Sequence, residues 1–287
     1  MNAADRISVL AGWAGAATLA FCLAASPAWA QPAGARPFSP PRDSSMPPGE
    51  AGAQIRLGQR LTNETARLLP GNVGNALNCS SCHLGAGKVA KASPFVGVWN
   101  DYPGYNPRAG REVTLTERIN GCFRRSMNGK PLPPDSREMR AMLAYMRWLS
   151  ADVPRGDKTG RGIGKINKDL VPDPVRGKAV YAASCASCHG DDGQGRKRNG
   201  EFVFPPLWGP QSFNIGAGMA RTYTAAAFVL HNMPIAHGLN APLGQGGALS
   251  PQDAVDVAEY FTHQPRPDFP DRLKDWPKGG KPKDARD

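Results

Sequence analysis

Apolar residues recur at helical spacing in a few short windows separated by polar stretches. Ile55, Leu57, Leu61, Leu68 and Leu69 mark an amphipathic helix over 50–69, ended by Pro70-Gly71. Met139, Met142, Leu143, Met146 and Leu149 mark a second over 135–149, and methionines at that spacing read as core packing. A third helix is expected over 175–183. A fourth, over 251–263, opens with Pro251 in its first turn and offers Val255, Ala258, Tyr260 and Phe261 to a core. The stretch 114–129 is a weaker candidate, with Thr116 as a possible cap and Gly121 as an interruption. If it is helical, Arg118, Cys122, Arg125 and Ser126 fall on one face, which then carries a sulfur, two guanidinium groups and a hydroxyl. The pattern predicts an all-α fold.

Composition sharpens this picture. The chain has 287 residues, 40% hydrophobic and 21% charged, with 33 Gly and 28 Pro. That excludes a wholly disordered chain and disfavours a coiled coil. Residues 1–30 read as an export signal: Arg6, an uncharged run from Ile7 to Ala25, then the small-x-small site Ala28-Trp29-Ala30 before Gln31. Export implies an oxidising compartment, the periplasm, with no stable membrane insertion after cleavage. Cys22, preceded by Phe21, leaves with the signal.

Four of the five remaining cysteines form two identical frames, Cys79-Ser80-Ser81-Cys82-His83 and Cys185-Ala186-Ser187-Cys188-His189. CxxCH is the attachment signal for c-type haem: two thiols add to the vinyl groups and the adjacent histidine becomes an iron ligand. A zinc site would need further Cys or His pairs at ligand spacing, and none is present. Two covalent haems are therefore expected. They sit in tandem cytochrome c-like domains over 31–150 and 175–265, joined by a Gly- and charge-rich linker over 151–174 and followed by a tail over 266–287. That tail reads as a surface strap or partly disordered segment.

The sixth iron position remains open to several candidates. In the second domain Met233, in Asn232-Met233-Pro234, is favoured, with His231, His237 and Met219 as rivals. In the first, Cys122 is the one mature cysteine that haem attachment does not need. A lone thiol in an oxidising compartment persists where its reactivity is used, and nearby arginines favour its thiolate. Cys122 is thus read as ligand, nucleophile or both, with Met127 as the competing ligand.

Taken together, both frames, the stretch from Arg118 to Gly129, the Asn232-Met233-Pro234 string and Gln264-Pro265-Arg266-Pro267 resemble the dihaem thiosulfate dehydrogenases, or tetrathionate synthases. The resemblance implies a catalytic first haem held by His83 and Cys122, beside a pocket containing Arg118 and Ser126. It also implies an electron-transfer second haem held by His189 and Met233. Some members of that family carry a lysine beside the methionine and exchange ligands with redox state; Asn232 has no amine to do so.

Joining two thiosulfate dianions crowds four negative charges, which Arg118, helped by Arg125, is suited to offset. One hypothesis is that Cys122 forms a sulfur–sulfur adduct with one thiosulfate, which the second displaces. Two other functions compete: a plain dihaem electron carrier without substrate, and a sulfur-transferring cytochrome of the sulfur-oxidation pathway. The formal charge of +11 suits an anionic substrate or an acidic electron acceptor such as a small cytochrome c. Scattered Lys and Arg among redox motifs do not suit nucleic acid.

Overall fold

Each CxxCH frame is preceded by one helix and followed, much later, by another that packs onto it. In the front half, α1 (Gly49–Asn63) gives way at Glu64, with φ −126°, to the single turn α2 (Thr65–Leu68). The helix expected over 50–69 is therefore two pieces. The first frame begins in a 3-10 turn, Cys79–Ser81, and passes through His83 into the short, distorted α3 (Leu84–Gly87). A hairpin of β1 (Gly104–Asn106) and β2 (Arg111–Val113) leads to α4 (Leu115–Arg125) and α5 (Arg137–Leu149). The Ser136 hydroxyl caps α5, accepting from Met139 N at 3.1 Å. Met139, Met142, Tyr145, Met146 and Leu149 are buried on its inner face, so these methionines are core.

The back half repeats the plan. Asp173 caps α6 (Pro174–Ser184), which runs into the second frame and α7 (Ala186–His189). A second hairpin, β3 (Arg196–Arg198) with β4 (Glu201–Phe204), precedes α8 (Thr222–Asn232) and α9 (Pro251–Thr262). Helix α1 packs on α5, and α9 packs on both α6 and α8.

The same device closes both halves. A Cβ at Gly58 on α1 would lie 2.1 Å from the Ala141 carbonyl oxygen and 2.7 Å from Tyr145 Cβ. A Cβ at Gly177 on α6 would lie 2.0 Å from the Asp256 carbonyl oxygen and 3.1 Å from Tyr260 Cβ. Only glycine lets the entering helix approach the closing one this tightly.

This computed structural model describes residues 37–235 and 246–286. The expected export signal, Cys22 and His237 lie outside them. The two hairpins are the only sheets among the described residues, so the all-α expectation holds with short hairpins added. No described helix is long and apolar enough to cross a membrane.

Buried asparagines join the two halves into one compact unit. Asn75 Nδ2 donates to Ser126 O at 2.8 Å and to Ser212 O at 3.0 Å. Asn214 Nδ2 donates to Arg124 O at 2.8 Å, and Asn214 N to Arg125 O at 3.1 Å. The bonds to Arg124, Arg125 and Ser126 satisfy carbonyls at the end of α4 that the helix itself cannot.

The tail is a strap across both halves. Gly209 N donates to Pro265 O at 2.8 Å, Ile215 N to Pro267 O at 3.0 Å and Trp276 N to Arg108 O at 2.8 Å. Asp284 then accepts from Tyr223 N, in the first turn of α8, at 2.8 Å.

Candidate active site

A capping box sets the position of α4. Thr114 Oγ1 accepts from Glu117 N at 3.1 Å, and Glu117 Oε2 accepts from Thr114 N at 2.7 Å. The cap is therefore Thr114 and not Thr116, and α4 continues through Gly121 without a break. Asn120 fastens the buried face by exchanging two 2.9 Å bonds with the Leu132 backbone. Cys122 is thus presented at a fixed depth, one turn beyond Arg118.

Arg118 Nη1 donates to Cys122 Sγ at 2.8 Å, and the His83 ring lies near enough to favour the charged form of the same sulfur. Burial alone would raise the Cys122 thiol. Arg118 and His83 outweigh it and bring the pKa down to about 6, which favours the thiolate at neutral pH. Tyr102, missed at the sequence level, lines the same cavity close to Arg118. Burial keeps that phenol protonated by raising its pKa.

The attachment thiols behave in the opposite way. Burial pushes Cys79 up to about 11, Cys82 to about 12 and Cys185 to about 11. Cys79, Cys82, Cys122, Cys185 and Cys188 are all free of disulfides.

These residues fit the group that the frames imply. His83 Nδ1 donates to Ser93 O at 2.5 Å and His189 Nδ1 donates to Pro205 O at 2.8 Å. Each bond fixes the ring and its tautomer, leaving Nε2 free to bind a metal. Around Cys79, Cys82, His83 and Cys122 opens a cavity of about 2070 Å³. Ten arginines and lysines line it against four carboxylates, a surplus suited to anions. Ser126 lies on its wall, as does Met127, whose side chain is 3% exposed within the core.

Arg125 lines the same cavity but is engaged elsewhere. It grips Asp275 of the strap with both arms, at 2.9 and 2.7 Å, and stacks 4.5 Å over Phe269. Its charge is thereby matched within the fold, contrary to the expected direct help to Arg118. The β1–β2 turn, the back half and the strap also bring Arg108, Arg221 and Trp276 to the cavity. These three residues and Asp275 carry no local motif that could have announced them.

In the back half, Met233 follows α8 and packs among Phe228, Leu84 and Ala92 at the contact between the halves. Asn232 is fully buried and donates to Lys91 O and Phe228 O, both at 3.0 Å. His231 turns toward the linker, where Nε2 donates to Lys165 O at 3.1 Å. Met219 lines the front cavity.

Residues 72–154 match the SoxA/TsdA cytochrome c domain family, and residues 174–264 match cytochrome c. A thiosulfate dehydrogenase of Psychrobacter arcticus is 50% identical over 86% of this chain and 73% of its own. One from Allochromatium vinosum is 45% identical over 80% of this chain and 84% of its own. Among solved structures, thiosulfate dehydrogenase (TsdBA) from Marichromatium purpuratum in its as-isolated form aligns with a TM-score of 0.74 and 41% identity. That alignment covers 82% of this chain and half of the other. The chain is a two-domain c-type cytochrome carrying two haem c groups, and it belongs to the thiosulfate dehydrogenase family.

Proposed function

We propose that this chain is a periplasmic thiosulfate dehydrogenase that joins two thiosulfates into tetrathionate. The observation that carries the reading is the Cys122 sulfur, which meets Arg118 at 2.8 Å and His83 within one cation-rich cavity. A plain electron carrier has no need of a depressed thiol facing an anion-holding wall.

When bound, the two haems supply two one-electron acceptors, matching the two electrons released per sulfur–sulfur bond formed. His83 and Cys122 would hold the first iron and His189 and Met233 the second. Cys79, Cys82, Cys185 and Cys188 would carry the thioether links. The domains run over 31–150 and 175–265, with 151–174 as linker.

Arg118 orients one thiosulfate by its oxyanion and offsets its charge, and Ser126 adds a hydroxyl donor. The Cys122 thiolate and the outer sulfur of that thiosulfate form a bond, and two electrons leave the pair. The outer sulfur of a second thiosulfate then attacks the bound outer sulfur. Tetrathionate departs and the Cys122 thiolate returns. Electrons pass from the front half to the back half and on to an acceptor such as a small cytochrome c. Arg125 acts indirectly, by holding the strap to the cavity mouth.

The test adds thiosulfate and an artificial acceptor to the purified oxidised protein. One tetrathionate per two thiosulfates consumed is expected. Acceptor that stays oxidised, with no tetrathionate, overturns the reading.

A further inference from the structure

Three distant parts of the chain meet at one wall of the front cavity. Arg108 comes from the turn between β1 and β2, Arg221 from the residue that starts α8, and Trp276 from the strap. The Arg108 guanidinium carbon lies 4.9 Å from the Trp276 ring centre, and that of Arg221 lies 6.0 Å from the same centre. Two cations thus gather about one aromatic ring inside the fold.

Their charge is only partly neutralised. Asp275 gives both carboxylate oxygens to Arg125 at 2.9 and 2.7 Å, and stands off Arg108 Nε at 3.8 Å. Asp284, the other carboxylate acting on Arg221, accepts from Tyr223 N. Arg108 spends one arm on Gly216 O at 2.7 Å. Arg221 Nε is buried and has no hydrogen-bond partner. A buried donor left unmade costs about 1–3 kcal/mol, so a fold retains one where a ligand completes it. The crowding has a further mark: burial, then Arg125 and Arg221, depress Arg108 to about 10.

We propose that Arg108 and Arg221, walled by Trp276, form a second oxyanion subsite that holds the sulfonate end of the second thiosulfate. In the reverse direction it holds the far sulfonate of tetrathionate. This rests on the proposed function and deepens it. The reaction needs two dianions in one cavity, and Arg118 beside Cys122 serves only one of them. Two separated guanidinium sets allow both to enter while their outer sulfurs converge. The subsite spans both halves and the strap, so it exists only when the halves are docked.

The experiment measures steady-state thiosulfate oxidation and tetrathionate reduction by the holoprotein, in wild type and in Arg221→Gln, Arg108→Gln and Arg221→Lys. Haem absorption and melting temperature identify which variants are folded. Losing a charge-assisted bond predicts that KM for both anions rises about tenfold or more in each Gln variant, with kcat changing far less. Arg221→Lys, which keeps the charge, recovers most of that loss. Sulfate, a single tetrahedral dianion, inhibits the wild type competitively and inhibits the Gln variants more weakly.

Unchanged KM in both folded Gln variants overturns the subsite while leaving thiosulfate oxidation intact. Lost kcat at unchanged KM also overturns it, because the arginines would then act in the chemistry and not in binding. A wild type that makes no tetrathionate removes the proposed function and the subsite together.

Discussion

In the front half, the sulfur that haem attachment leaves over meets a guanidinium and an imidazole. In the back half, the corresponding region ends α8 with a methionine packed among Phe228, Leu84 and Ala92. The scaffolds are otherwise close kin. Each has a glycine-tight pair of helices, a CxxCH frame, and a histidine anchored to a carbonyl that precedes proline. The difference teaches that one cytochrome plan can surround its two frames with different chemistry. A charged, open cavity admits anions, whereas an apolar contact excludes them.

The largest predicted effect falls on that difference. Cys122→Met should abolish nearly all thiosulfate turnover while both haems remain attached, as read by tetrathionate yield and haem absorption. It would make the front half resemble the back half.

The kinship itself is tested next. Gly58→Ala and Gly177→Ala each force a methyl group into backbone, and each should cost about 1–3 kcal/mol in denaturant unfolding. A neutral result at either glycine breaks the parallel between the halves.

A smaller effect is expected at the strap. Asp275→Asn removes the charge that Arg125 grips, so limited trypsin digestion should release the tail faster while both haems stay bound.

The smallest concerns the linker. Burial would raise the Asp101 carboxyl, but its bonds to Arg161 and Lys158 hold it below its ordinary value. The folded state therefore gains stability above the ordinary carboxylate range and loses it as pH falls through the lowered value. Asp101→Asn should flatten that acid limb in pH-dependent unfolding, by less than about 1 kcal/mol.

Much of this was legible in the sequence because it is local. Two CxxCH frames carry their own chemistry, and the methionines of α5 declare a core face by spacing alone. The Thr114 cap was equally readable, since Glu117 stands three residues on, but the nearby Thr116 competed for the role. The break at Glu64 was hidden because Leu68 and Leu69 continue the apolar pattern beyond it. What could not be read depends on tertiary placement. Arg108, Arg221 and Trp276 are far apart along the chain and acquire meaning only where the strap crosses the cavity. Arg125 shares a helix face with Cys122, yet a carboxylate 150 residues away takes its charge.

The most direct test of the central claim is low-temperature electron paramagnetic resonance of the fully oxidised wild-type protein. The account predicts one low-spin ferric centre with thiolate and histidine ligation, absent in Cys122→Met, beside a second centre with histidine and methionine. Two histidine–methionine centres in the wild type would contradict it.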